Sequence, residues 1–389
     1  MNLTVPEIIK LSEVQKLCEI DHPYNYSAGN DELFLSAMKQ SIEWHREKSG
    51  FYNSLCETEG FTNSKLKTIG DLDKIPHIFA NFFKRNVVKS ISDDDITLHL
   101  TSSGTTGQKS QMFFDEWTIS SAQRMVAWIF DHYKWITPNQ KTNYLLYSYE
   151  PEEGAKLGTA YTDNFLCEFA PINDVHYALK YMGKGKGHKF DIFGCIESFK
   201  KFETEKLPVR IFGFPAFLYF TLKHMKDIGM TPLKLDKESL IFLGGGWKGN
   251  QEKAIEKVEL YQLVEEMLGI PNKRLRDGFG SVEHCIPYVE CEEHKFRIPI
   301  YSRILIRDVK TLEPLPEGEI GYLNFISPYI TSVPAMSVLM GDLAIYHSGD
   351  SNNASPWFEI VGRAGISKNK SCAIKASQLL NEFNTGVGT

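Results

Sequence analysis

Between residues 140 and 270 the chain alternates short apolar runs with longer stretches of helical period, and that alternation narrows the available folds more than any other feature. Tyr144–Tyr149 reads as a buried strand, and Val209–Phe212 and Leu240–Leu243 as further strands. Phe190–Phe202 has helical spacing. Pro215 opens a helix that runs to Ile228 and stops at Gly229; a proline in the first turn loses no hydrogen bond there. Asn250 caps a long helix that ends at Gly269, with Pro271 just beyond. Strands regularly separated by helices predict an α/β architecture with parallel sheet content.

The flanking regions differ in texture. Residues 1–60 are helical in pattern, with apolar residues at helical spacing in Ile8–Ile20 and Leu33–Tyr52, and helical signal returns at Thr118–Tyr133. From Ile298 the pattern becomes strand-like, in Tyr301–Asp308, Gly321–Ser327 and Ala344–Tyr346, and forms a small β-rich part. No linker interrupts the chain before about residue 362. The expected organisation is a core domain over 1–361 and a short segment over 362–389.

Charge and hydropathy exclude several functions. The net charge of −6 comes with no compensating basic block, which argues against nucleic-acid binding. The densest basic cluster (Lys184, Lys186, His188 and Lys189) is broken by glycines and reads as a mobile, solvated loop. No apolar run reaches membrane-spanning length, and the first residues lack the basic end and unbroken apolar core of a signal peptide. The seven scattered cysteines fit reduced thiols in a cytoplasmic protein.

The richest stretch chemically is Leu98–Asp115, LHLTSSGTTGQKSQMFFD. An apolar run ends in Thr101, Ser102, Ser103, Gly104, Thr105, Thr106 and Gly107, with Lys109 and Ser110 following, before Gln111–Phe114 resumes a strand-like pattern. Such a loop can wrap a polyphosphate: glycines let the backbone approach, and hydroxyls and a lysine donate. It is not a Walker A motif, because two residues rather than four separate Gly104 from Gly107. The run resembles the signature loop of the adenylate-forming superfamily, which implies that it holds the ATP β- and γ-phosphates while a carboxylate attacks the α-phosphate.

Further segments occur in the order that this resemblance requires. Phe279-Gly280-Ser281-Val282-Glu283 looks like the family's aromatic-Gly-x-x-Glu segment, which implies that Phe279 packs on adenine and Glu283 helps place Mg²⁺. Gly244, Gly245 and Gly246 resemble the adenine-lining turn. Gly341-Asp342 stands where the family holds the ribose, and Gly362-Arg363 resembles its hinge arginine. The fold so implied is the large N-terminal domain of the superfamily, with mixed and parallel sheets flanked by helices.

The resemblance also has departures. Family members continue past the Gly-Arg hinge into a lid domain carrying a catalytic lysine, whereas 26 residues follow Arg363 here. The lid is expected to be truncated, and Gly365 stands near the place of the hinge aspartate. Cys372 lies beside Lys368, Lys370 and Lys375, cations that favour a thiolate. The short final segment and this cysteine resemble the LuxE-type acyl-protein synthetases. That subfamily resemblance implies ATP-dependent activation of a long-chain fatty acid, transfer of the acyl group to Cys372, and delivery to a partner protein such as an acyl reductase. Catalytic roles are thereby expected for Lys109 and Cys372. Aromatic residues in Tyr144–Phe169 and Phe212–Phe220 are expected to line the acyl pocket. Two alternatives are an aryl- or acyl-CoA ligase of the phenylacetate-CoA ligase type and a non-catalytic nucleotide- or partner-binding subunit. His284, Cys285, Cys291 and His294 raise zinc as a lesser reading, but C-x5-C-x2-H matches no common structural site.

Overall fold

Apolar residues at positions 11, 14, 17 and 18 form one stripe along the first helix, α1 (Ile8–Cys18), and all four are buried. The computed structural model describes residues 3–101, 111–151, 165–247, 249–349 and 355–363. Helix α2 (Ala28–Lys48) starts at Ser27, whose hydroxyl accepts from the Asn30 N–H at 3.3 Å. The periodic stretch Leu33–Tyr52 is two helices, not one. Ser49 has extended backbone, closes α2 with its N–H on the His45 carbonyl, and caps α3 (Gly50–Thr58) through its hydroxyl. A serine competes for backbone groups in this way, which lets a helix end without a proline or glycine.

After β1 (Ile78–Phe79), strands β2 (Leu98–Thr101) and β3 (Gln111–Phe114) pair antiparallel from Leu98↔Phe114 to Thr101↔Gln111. Residues 102–110, which carry the expected phosphate loop, lie outside the described residues; the last strand pair sets Thr101 opposite Gln111. Asp115 then caps α4 (Glu116–His132), accepting from the Thr118 N–H at 2.8 Å and from the Thr331 hydroxyl at 2.6 Å.

Next come β4 (Thr142–Tyr149), β5 (Ile172–Tyr181), β6 (His188–Phe190), α5 (Ile192–Glu205), β7 (Val209–Gly213), α6 (Pro215–Asp227), β8 (Leu240–Gly244), α7 (Lys257–Leu268), β9 (Leu275–Phe279) and β10 (Tyr288–Val289). They build one sheet in the order β10-β9-β8-β7-β4-β5-β6, parallel from β9 through β5 and antiparallel at β6. Leu145, Tyr147, Val209, Ile211, Ile241 and Leu243 alternate onto one face, where they pack with Phe199, Leu222 and Val264 of the three helices. Each such fully buried side chain contributes about 2 kcal/mol.

Two expectations change here. The glycine-broken basic cluster belongs to a hairpin: Met182 N–H bonds to the Gly187 carbonyl at 2.9 Å, and His188 and Lys189 lie in β6. Asn250 does not cap α7. It ends a turn on the Trp247 carbonyl, a 3₁₀ turn follows at Gln251–Lys253, and the helix starts only at Lys257. Ile255 packs against the core between the two, so this stretch is anchored without being helical.

A second sheet is antiparallel, in the order β11-β15-β14-β13-β12. It comprises β11 (Phe296–Arg297), β12 (Arg303–Arg307), β13 (Ile320–Ile326), β14 (Ser337–His347) and β15 (Trp357–Arg363), and β1 joins β14 in parallel. The chain separates into two compact units. One comprises 1–132, 280–288 and 296–389; the other, built on the parallel sheet, comprises 133–279 and 289–295. Both divisions fall inside the expected 1–361 domain. Residues 364–389 lie outside the described residues.

Candidate functional site

In the first unit, three of the expected site residues converge. Asp342 and Arg363 are register partners across β14 and β15, and Arg363 Nε stands 3.4 Å from Asp342 Oδ1. A bulge follows at once, between Leu343 and Ala344, and such an irregularity re-aims side chains locally. Asp342 is buried, whereas the arginine side chain is 75% exposed. Burial raises the Asp342 pKa above the usual carboxylate range, Glu283 adds to that rise through its negative charge, and Arg363 and Lys84 oppose it.

Glu283 is itself buried. Ser281 holds the turn that carries it: the serine hydroxyl donates to the Glu283 carboxylate and accepts from its backbone N–H at 3.2 Å. The Ser281 carbonyl takes the Cys285 N–H at 2.7 Å. Gly280 has nothing within 4 Å of where a Cβ would sit, so its surroundings are open. Two carboxylates at one place, with an arginine beside them, suit a ligand that brings a hydroxyl pair and a metal-bound phosphate. Sequence reading missed Lys84. It belongs to the 3₁₀ turn Ala80–Lys84 and carried no motif to mark it.

In the second unit the expected residues gather at the carboxyl ends of parallel strands. Gly244 closes β8, and a Cβ on it would come within 3.3 Å of the Gly278 carbonyl. Gly245 and Gly246 follow in the left-handed region, at φ 73° and 65°, where a side chain is strained. Phe279 ends β9, half-buried. The strand order reverses between β4 and β7: β5 lies on one side of β4, and β7, β8 and β9 follow on the other. Open parallel sheets bind ligands at the carboxyl ends beside such a reversal. There Gly213, at φ 114°, lies so close that a Cβ would stand 2.4 Å from the Tyr147 carbonyl oxygen.

The aromatic residues expected around an acyl pocket divide into two groups. Tyr144, Tyr147 and Phe212 are fully buried, and Tyr144 donates to the Cys167 and Ala170 carbonyls at 3.3 and 3.2 Å. Phe217, Tyr219 and Phe220 are half-buried.

The four residues that raised zinc have other partners. His284 stacks on Phe325 at 4.5 Å and bonds the Tyr288 hydroxyl at 2.8 Å; burial lowers its pKa to about 3, so the ring is neutral. The Cys285 thiol contacts the Val282 carbonyl, and burial pushes its pKa up to about 12. Cys291 is buried with its pKa raised, chiefly by that burial, and His294 lies between Glu290 and Asn272. No cluster of metal-ligating side chains occurs among the described residues. Thr101 is placed as the end of β2. Ser102, Ser103, Gly104, Thr105, Thr106, Gly107, Lys109 and Cys372 lie outside the described residues.

The model of the family described as acyl-protein synthetase, LuxE, matches residues 1–381. Two relatives, the long-chain-fatty-acid–luciferin-component ligases of Vibrio harveyi and Aliivibrio fischeri, are each 24% identical to the chain. They cover 96% and 97% of it, and the matches take in 96% of each relative. Among solved structures, 2-hydroxyisobutyryl-CoA ligase in complex with 2-HIB-AMP and CoA superposes with a TM-score of 0.63 at 15% identity, over 89% of this chain and 70% of that one. The same ligase in its postadenylation state, in complex with R3-HIB-AMP, gives 0.62 at 14% identity, over 88% and 69%. At such identities the likeness concerns the fold, and the fold is that of adenylate-forming ligases.

Proposed function

The chain belongs to the acyl-protein synthetase (LuxE) family, and from that premise we propose that it activates a long-chain fatty acid with ATP, takes the acyl group onto Cys372 and passes it to a partner protein. The observation that carries the reading is the meeting of Asp342, Arg363 and Glu283 in one unit, although up to eighty positions separate them in sequence.

In this reading a carboxylate oxygen attacks the α-phosphorus of ATP, and the bond to pyrophosphate breaks. Thr101–Gly107 and Lys109 bind and neutralise the phosphates. Asp342 accepts hydrogen bonds from the ribose hydroxyls, and Arg363 holds the carboxylate while its exposed guanidinium meets the nucleotide. Phe279 and the Gly244–Gly246 turn supply a flat surface for adenine. Glu283, oriented by Ser281, is the residue that would hold magnesium, which when bound supplies charge neutralisation at the phosphoryl oxygens. The Cys372 thiolate then attacks the acyl carbonyl and AMP leaves, which divides the transfer into two easier steps. Among the described residues of the two segments, the half-buried Tyr149, Phe165, Phe217, Tyr219 and Phe220 are the aromatic residues left to contact an acyl chain.

The test is acid-dependent exchange of label between pyrophosphate and ATP, measured across fatty and aryl acids, followed by labelling with radioactive fatty acid. Long-chain acids are expected to drive exchange. Cys372→Ser is expected to retain exchange and lose the protein-bound label. Exchange with aryl acids alone would point to the CoA-ligase reading, and ATP binding without exchange would sink the catalytic one.

A further inference from the structure

At the amino ends of the same parallel strands, in the second unit, lies a cavity of about 40 Å³ lined by Lys134, Thr137, Gln140, Arg210, Glu238 and Arg274, among others. Arg210 is the second residue of β7, three positions before Gly213, so this cavity is about 10 Å along the strand from the glycine-rich end. Arg210 belongs to the face of the sheet opposite the helix-packed core, since Val209 and Ile211 alternate to the other side.

The two arginines of this cavity differ: Arg274 is attracted by Glu238, Glu292 and Asp236, whereas no carboxylate is among the groups acting on Arg210. Arg210 is 5% exposed. Its Nη2 donates to the Trp135 carbonyl and, at 3.0 Å, to the Thr137 hydroxyl; its buried Nη1 has no partner in hydrogen-bond geometry, and the neutral Tyr144 hydroxyl is the main group beside it that favours its charge. The neighbouring Tyr144 hydroxyl donates elsewhere, to backbone carbonyls. Arg274 bonds the Ser239 and Glu238 carbonyls through Nε and Nη2. Among the described residues, therefore, these guanidinium hydrogen bonds all end on carbonyl or hydroxyl oxygens and none on a carboxylate. Burial lowers the Arg210 pKa, and the nearby charge of Arg274 lowers it further; a guanidinium nevertheless remains charged at any pH at which the protein stays folded. A buried cation without an anion is strongly unfavourable. Arg276, on the next strand but one from Arg210, shows the contrast, since it has Glu292 at 3.6 Å.

We propose that this cavity is a binding site for a small multivalent oxyanion of the phosphate class, held by Arg210 and Arg274 with Lys134, Thr137 and Gln140 at its rim. Glu238 also lines the cavity and its charge attracts Arg274, so a bound anion shares that guanidinium with it. With Nη2 of Arg210 and Nε and Nη2 of Arg274 engaged, the Nη1 group of each arginine is left to donate a charge-assisted hydrogen bond to a tetrahedral oxyanion. A cavity of this size accommodates several water-sized groups, which matches the oxygens of one such ion. The site is separate from the proposed nucleotide residues and does not depend on the adenylation reading.

Thermal unfolding of the full chain at constant ionic strength tests the proposal, with inorganic phosphate replacing chloride. At about a hundredfold excess over its dissociation constant, phosphate is expected to raise the midpoint by about 5 °C. Sulfate is expected to act in the same direction. Arg274→Gln should abolish the shift and keep acid-dependent pyrophosphate exchange, whereas Lys109→Ala should keep the shift. Arg210→Gln should behave like Arg274→Gln; if it does not fold, Arg274→Gln decides alone. The proposal is overturned if wild type shows no shift, if the shift survives Arg274→Gln, or if it disappears in Lys109→Ala, which would assign the phosphate effect to the nucleotide loop.

Discussion

Two buried carboxylates, one in each unit, are both pushed up by burial and yet end with opposite net shifts. Asp342 sits at the bulge of β14 with one exposed arginine 3.4 Å away, and its pKa is raised. Glu290, at 0% exposure, is pushed up by the same desolvation, but bonds from His294 and the charge of Lys257 pull it below the usual range. Its oxygens also accept from the Tyr261 hydroxyl at 3.3 Å and the Asp277 N–H at 2.9 Å. Every direction around Glu290 is filled, so it holds structure together. Asp342 has Arg363 as its ion-pair partner, and the attraction of that exposed arginine and of Lys84 does not offset burial. A carboxylate held above its usual range is a better candidate for a working site than a tightly bonded one, and on that ground the proposed function assigns its role to Asp342.

That contrast can be tested from both sides. The largest effect is expected at Glu290. Glu290→Gln removes the partner of Lys257 and His294 and should lower the unfolding free energy by about 3 kcal/mol in urea titration. Pyrophosphate exchange per folded molecule should stay unchanged; a large loss of exchange with full stability would reverse the assignment. Asp342→Asn should do the opposite. It removes a charge that burial disfavours, so stability should be unchanged or slightly higher. The lost charge-assisted bonds should weaken ATP binding, read as KM in exchange, by about 30-fold.

Arg363→Gln should have a smaller effect, because its side chain is 75% exposed and exposed pairs contribute about 0–1 kcal/mol to stability. A drop in ATP affinity of about tenfold or less, with an unchanged melting profile, is expected. The smallest effect concerns Asp277, whose pKa is raised to about 6, first by burial and then by Glu290, with Lys257 3.2 Å away opposing. The folded state holds this proton more tightly than the unfolded chain, so its contribution is favourable at low pH and declines as pH climbs from 3.8 to about 6. Glu290 runs the other way: its stabilisation is present above the unfolded value of 4.5 and is lost on acidification. Asp277→Asn should therefore leave only the acid-side loss, seen as a steeper rise of the urea midpoint across that window.

The motifs were legible because each needs a backbone feature that few residues provide. Gly245 and Gly246 occupy left-handed conformations, and Pro215 opens α6 where a missing N–H does no harm. The parallel strands β4, β7 and β8 were legible as apolar runs, and β5 and β9 were not. β5 begins with the exposed Ile172 and Asn173 and the half-buried Asp174, and its pairing with β4 and β6 marks it as strand. Asn250 was misleading for a related reason. A capping residue before a periodic segment states where a helix can begin, whereas the packing of Ile255 decides where it does.

The sequence alone determined the α/β class, the order of the nucleotide-type motifs and the family resemblance, because these rest on local conformational preference and on residue spacing. Only the tertiary structure decided that Asp342 faces Arg363 across a bulged strand pair, that Glu283 is buried where its charge acts on Asp342, and that Arg210 is enclosed with no carboxylate among the groups acting on it. Strand register and burial are set by the chain as a whole. They, more than residue identity, determine whether a carboxylate or a guanidinium is satisfied within the fold or left to meet a ligand.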